Sequence, residues 1–192
     1  LLGHLALGTA AAMPPGAAGR RYLARLANIM RMQRATQADE FAEAGRLSAE
    51  VLARGGTVWL STLGHLPPSQ PEQVAEDEMP FTLLPGREPE RVPELVKPGD
   101  LVMYIGYYEP MGPWVQAVHD AGARIITSVS GTPDRPAGAM GADVNIAGCW
   151  PYGDALIQLE PVQTGLSMLP PSGVIQSAAF WMILSENRRR GR

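Results

Sequence analysis

Residues 97–128 read KPGDLVMYIGYYEPMGPWVQAVHDAGARIITS. Gly99-Asp100 is a turn signal, and the apolar run Leu101 to Ile105 that follows has the length and composition of a buried strand. A Gly/Pro-containing loop leads into a helix over about 112–120, and Gly122 closes that helix as glycine does at a carboxyl end. Arg124 to Ser128 is the next strand. Strands separated by a helix argue for a parallel sheet covered on both faces.

The flanking sequence extends the pattern. Residues 20–54 read as helix, bent or broken near Thr36. One apolar stripe there is Leu23, Leu26, Ala27 and Met30, and a second is Phe41, Ala44, Leu47 and Val51. Gly55-Gly56 ends this helix, and Thr57 to Ser61 is a short buried strand. Ser69-Gln70-Pro71-Glu72 forms a capping box with proline in the first turn, so a helix is expected from Ser69 to about Met79. Phe81 to Leu84 reads as a second strand, and 85–99 as irregular with a short helix at best. Beyond the central stretch come a long loop over 130–141, a short strand at Val144 to Ile146 and an irregular segment over 147–171. A last helix opens at Ser172, apolar through Val174, Ile175, Ala178, Ala179, Trp181, Met182 and Leu184. Crossovers are expected to be right-handed, and ligands in such sheets sit beyond the carboxyl ends of the strands. Here those ends carry the loops Ser61–Ser69, Gly106–Gly112 and Thr127–Asp134, all rich in Gly, Pro or hydroxyl groups.

Composition narrows the functional classes. The 192 residues hold 16 basic and 19 acidic side chains, a net charge of −3 that gives no electrostatic case for nucleic acid. With 21 glycines and 18 prolines the chain exceeds the average of about 7% and 5% for these residues, which calls for many loops and turns. The single cysteine, Cys149, excludes an intrachain disulfide and a Cys-rich metal cluster. No apolar run reaches the roughly 18 residues of a membrane helix. No nucleotide, metal or serine-nucleophile motif is present, so neither a cofactor nor a metal is expected. Residues 1–13 (LLGHLALGTAAAM) suit either the tail of an export signal, with Ala10-Ala11-Ala12 at a cleavage site, or a packing segment. The expected organisation is an N-terminal segment over 1–18 and one domain over 19–192. The expected compartment is the cytoplasm, with export as the alternative.

Several segments resemble the core of SIS (sugar isomerase) domains. They are Lys97-Pro98-Gly99-Asp100-Leu101-Val102, Trp114-Val115-Gln116-Ala117 and Gly122-Ala123-Arg124-Ile125-Ile126-Thr127-Ser128. A small bacterial branch of that family is the closer likeness. Its Gly-Thr-Gly-His after the first strand is matched by Thr62-Leu63-Gly64-His65, and its late Tyr-Gly-Asp-Ala by Tyr152-Gly153-Asp154-Ala155. It also opens the last helix with Pro-Ser, as Pro171-Ser172 do. The resemblance covers about residues 20–187. It implies an α/β fold: a three-layer α/β/α sandwich with a five-stranded parallel sheet, flavodoxin-like, preceded by N-terminal helices. It also implies a homodimer or higher oligomer that binds a sugar phosphate or sugar derivative. Some members are aldose–ketose isomerases, some are deacylating or ring-opening enzymes and others are sensors without chemistry; the expected function is a sugar-phosphate isomerase, with a sensor module or a dimeric interaction protein with a degenerate site as the alternatives. The chain departs from the family at the second loop, usually Ser-x-Ser-Gly, which reads Gly106-Tyr107-Tyr108-Glu109-Pro110. Glu109 would repel a phosphate placed there.

The candidate residues follow. Thr62, Gly64 and Ser69 lie in a loop entering a helix amino end, which favours anions, although Ser69 is also explained as a cap. His65 carries an imidazole, a side-chain type suited to proton transfer or hydroxyl binding. Thr127, Ser128 and Ser130 offer uncharged hydroxyls at a strand end, and Ser130 to Asp134 is also a turn signal. Glu109 is the alternative base for moving a proton between adjacent carbons. Asp154 and Ser172, in the segments matched to the family, either bind sugar hydroxyls or hold their loops. Tyr107, Tyr108 and Trp150 suit stacking on a ring or a contact between copies. Cys149 has no adjacent base and is not expected to act as a nucleophile; His119 is expected at the surface.

Overall fold

The computed structural model describes residues 15–64, 79–132, 135–136, 141–150, 156–158 and 167–190. Two helices, α1 (Ala17–Thr36) and α2 (Ala38–Ala53), lead into strand β1 (Val58–Leu63). Then follow β2 (Thr82–Leu83), a 3-10 turn (Pro89–Arg91), α3 (Val92–Leu95), β3 (Leu101–Gly106), α4 (Gly112–Asp120) and β4 (Arg124–Val129). Short strands β5 (Gly131–Thr132), β6 (Arg135–Pro136), β7 (Val144–Ala147), β8 (Ile157–Gln158) and β9 (Ser167–Met168) precede the long α5 (Ser172–Arg190). Five strands form one parallel sheet in the order β2-β1-β3-β4-β7. Helices cover both of its faces, which is the expected three-layer α/β/α sandwich with its N-terminal helices.

Side-chain alternation builds the layers. Leu60, Met103, Ile105, Ile126 and Ile146 turn to one face and pack on α2 and α5. Val102, Tyr104, Ile125 and Val129 turn to the other, under α3 and α4. The central strands are buried on both faces, so their sequences read as continuous apolar runs.

Asp100 sets the register of three strands. Its carboxylate is 5% exposed and accepts hydrogen bonds from the Thr57 amide (2.8 Å), the Trp59 indole N–H (2.9 Å) and the Lys97 amide (2.9 Å). Its carbonyl accepts from the Arg124 amide at 3.1 Å, at the entry to β4. One strand further, the Asp143 carboxylate accepts from the Ile125 amide at 2.8 Å.

Helices α2 and α5 meet at Gly45. A Cβ there would lie 2.3 Å from the Glu186 Cβ and 2.9 Å from its backbone carbon. Beside it the Asn187 side-chain amide donates to the Ser48 hydroxyl at 3.1 Å.

The apolar stripes need correction. On α1 the buried positions are Leu26, Ile29 and Gln33, while Leu23 and Met30 face out. On α5 the buried stripe is Ser172, Ile175, Gln176, Ala179, Phe180, Ile183, Leu184 and Asn187, and Val174 and Trp181 are exposed. Hydrophobicity alone misplaced these faces because each stripe includes polar residues. The loop after β4 also carries the short antiparallel pair β5–β6, and β8 pairs with β9 within the segment expected to be irregular. The helix expected over Ser69 to Met79 lies almost wholly outside the described residues, as do residues 1–14 with the export reading. Among the described residues no helix is long and apolar enough to cross a membrane.

Two variants test these constraints. Asp100→Ala leaves three amide-type donors without their acceptor and should cost about 2–4 kcal/mol in denaturant unfolding. Gly45→Val forces α2 and α5 apart and should cost about 1–3 kcal/mol by the same measurement, the usual cost of overpacking.

Candidate functional site

At their carboxyl ends β1, β3 and β4 run out into loops that converge beneath the first turns of α5. Gly64 ends β1 with φ +131°, a conformation that favours glycine. A Cβ there would lie 2.8 Å from the Tyr107 ring and 3.1 Å from the Gln176 Oε1 atom. The first loop, the second loop and α5 therefore meet at one point. The third loop is tied in by Ser130, whose buried hydroxyl donates to the Tyr107 carbonyl at 2.6 Å. Beyond it the Gly148 amide donates to the Val129 carbonyl (2.7 Å) and the Gly131 amide to the Trp150 carbonyl (2.9 Å).

The expected residues divide by position. Gly64 and Ser130 stand at this junction. Ser128 is buried one strand away, and Thr62 is half-buried on β1. Thr127 is fully buried, and its hydroxyl donates to the Asn145 Oδ1 atom across the β4–β7 ladder at 3.0 Å. Ser172 is buried at the start of α5. Glu109 lies on the other side of the second loop, in a cavity with Leu63, Arg87 and Tyr104. His65, Ser69 and Asp154 lie outside the described residues.

The side chain that sequence reasoning missed is Gln176. It is 1% exposed, and neither its amide nitrogen nor its oxygen has a hydrogen-bond partner among the described residues. A buried amide left in that state costs about 1–3 kcal/mol, and native structures leave few such groups without a purpose. Its signal was present: a glutamine on the stripe otherwise formed by Ile175, Ala179, Phe180 and Ile183. The other buried polar residues of that stripe are satisfied, Asn187 by Ser48. Gln33, on the buried stripe of α1, is likewise without partners.

The remaining expectations resolve simply. Cys149 is buried with φ +63°, and burial pushes its thiol pKa up, so at neutral pH it is a thiol. Trp150 is buried, whereas Tyr108 is exposed. No group of three or more His, Cys, Asp or Glu suited to a metal occurs among the described residues. An open depression of about 560 Å³ lies at the opposite edge of the sheet, lined in part by Arg54, Gly99, Asp100 and Gly122. The α2 carboxyl end at Arg54 offers carbonyls there rather than free donors, and Asp100 is committed to the sheet.

Solved structures resemble this arrangement. A phosphoheptose isomerase from Francisella tularensis superposes with a TM-score of 0.61 at 15% identity, over 92% of this chain and 97% of that one. The chain has the fold of a sugar isomerase domain. A phosphoheptose isomerase from Neisseria gonorrhoeae superposes with a TM-score of 0.53 at 16% identity, over 89% of this chain and 98% of that one. The sugar isomerase domain of an RpiR transcription factor from Sphaerobacter thermophilus gives 0.52 at 16% identity, over 92% of this chain and 90% of that one. No family model matches the sequence, and no curated protein sequence matches it.

Gln176→Met keeps the length of the side chain and removes its unpaired amide. Without ligand the variant should be more stable than the parent by about 1 kcal/mol in denaturant unfolding. A loss of stability would show that the amide is satisfied in solution.

Proposed function

We propose that this chain binds a sugar phosphate or related sugar derivative at the carboxyl ends of β1, β3 and β4, as an aldose–ketose isomerase. The observation that carries the reading is the Gln176 amide, buried and unpartnered where the loops converge. A sugar hydroxyl both donates and accepts, so one hydroxyl pair satisfies the amide nitrogen and oxygen together. Ser128, Ser130, Thr62 and Gly64 extend the same neutral, hydrogen-bonding surface, with Ser69, Asp154 and Ser172 as further contacts, whereas the buried Thr127 hydroxyl is committed to Asn145. Isomerisation moves a proton between adjacent carbons, and His65 is the group assigned to it; Glu109, the alternative base, lines the cavity on the other side of the second loop. The fold shared with two phosphoheptose isomerases supports this reading.

A second reading is a sensor that binds the sugar without turnover. The second loop favours it, because Gly106-Tyr107-Tyr108-Glu109-Pro110 has no aliphatic hydroxyl where the family carries serines. The transcription-factor domain among the similar structures favours it too. Under either reading the chain acts as a homo-oligomer in the cytoplasm. The exposed Leu23, Met30, Val174 and Trp181 offer apolar surface on α1 and α5 for the contact between copies.

A thermal-shift panel of sugar phosphates, free and N-acetylated sugars and inorganic phosphate tests the proposal. A ligand at about 100 times its dissociation constant adds roughly 2.7 kcal/mol of stability, which for a chain of this size raises Tm by about 5–10 °C. Stabilisation should appear with at least one sugar phosphate and disappear in Gln176→Met. His65→Ala should abolish turnover in an isomerase and only weaken binding in a sensor. If no sugar or sugar phosphate stabilises the chain, both readings fail.

A further inference from the structure

A cavity of about 260 Å³ opens beside the carboxyl end of β3, on the face of the sheet covered by α4 rather than α5. Leu63, Tyr104, Trp114 and Met111 make its walls apolar, and Arg87 and Glu109 bring one charge of each sign. Three of its features lack a counterpart among the described residues. The Trp114 side chain is 2% exposed, and its indole N–H has no acceptor among them. No ion pair among the described residues joins Arg87 to Glu109, although both line the same space. Met111, at 59% exposure, is among the most exposed large apolar side chains described. Arg87 and the buried Tyr104 line the same space, which puts a cation beside the aromatic wall.

The size and lining select a guest. The volume falls just below the roughly 300–1,000 Å³ of pockets that take a whole drug-sized ligand, so it fits one ring. A sugar ring would carry more hydroxyls than these walls can satisfy. A flat ring packs against Tyr104 and Trp114, which already stand together with centroids 5.8 Å apart. The Arg87 fork calls for a planar oxyanion, and the Glu109 carboxylate accepts a proton donor. We propose that this cavity is a binding site for a small aromatic hydroxy acid, its ring on Tyr104 and Trp114, its carboxylate on Arg87 and its hydroxyl donating to Glu109. The site is separate from the junction at Gln176, whose residues do not line this cavity, and does not rest on the sugar reading.

Calorimetric titration of the full chain with 4-hydroxybenzoate is the test, with its methyl ester as the neutral control. The parent should bind the acid, and Arg87→Gln should weaken it by about tenfold or more, the loss of one charge-assisted hydrogen bond. The ester should bind at least as weakly to the parent. Arg87 is exposed, so Arg87→Gln should retain the parental Tm, which separates a lost contact from a lost fold. Gln176→Met should leave the affinity unchanged. The proposal is overturned if the parent shows no binding at millimolar acid, if Arg87→Gln binds as well as the parent, or if Gln176→Met abolishes binding.

Discussion

The sheet is held in register by one carboxylate. Asp100 gathers amide and indole donors from Thr57, Trp59 and Lys97, and its own carbonyl receives Arg124. Those donors lie at the entries to β1, β3 and β4, so a single residue, through its carboxylate and its carbonyl, aligns three parallel strands at their amino ends. Parallel strands have no hairpin turn to set their pairing, and a slip of one residue would turn every apolar side chain to the wrong face. Asp143 repeats the device between β4 and β7. At the amino edge of the sheet the Asp100 and Asp143 carboxylates are in consequence committed to backbone and indole donors. The carboxyl edge is tied by bonds such as those of Ser130 and Gly148 and keeps the unpartnered Gln176.

This asymmetry is what favours the carboxyl edge for the proposed site. Burying an unpaired amide lowers stability, so its presence opposes folding and calls for another account. Removing the amide is predicted to help the fold and harm the ligand, the trade expected of a site rather than of a core. Gly64 belongs to the same economy: its positive φ and the close approach of Tyr107 and Gln176 leave no room for a side chain.

The sheet was legible because its central strands are continuous apolar runs bounded by glycine turns, as at Gly99 and Gly122. The helix faces were less so. Leu23 and Trp181 are apolar and exposed, while Gln33 and Gln176 are polar and buried, and no hydrophobicity pattern separates these cases. At the loop junction, the positions of Gly64 and Ser130 could be anticipated from loop composition. Gln176 and Arg87 were missed because each depends on which distant segment faces it. Asp100 read as a turn residue, and only the fold shows that its carboxylate reaches across to Thr57 and Trp59.

The central claim is that the Gln176 amide contacts the ligand. Its side-chain NH₂ resonance, assigned by its loss in Gln176→Met, can be followed while a stabilising sugar phosphate is added. The account predicts a saturable shift that tracks the rise in Tm. A ligand that stabilises the protein fully while leaving that resonance unmoved would contradict it.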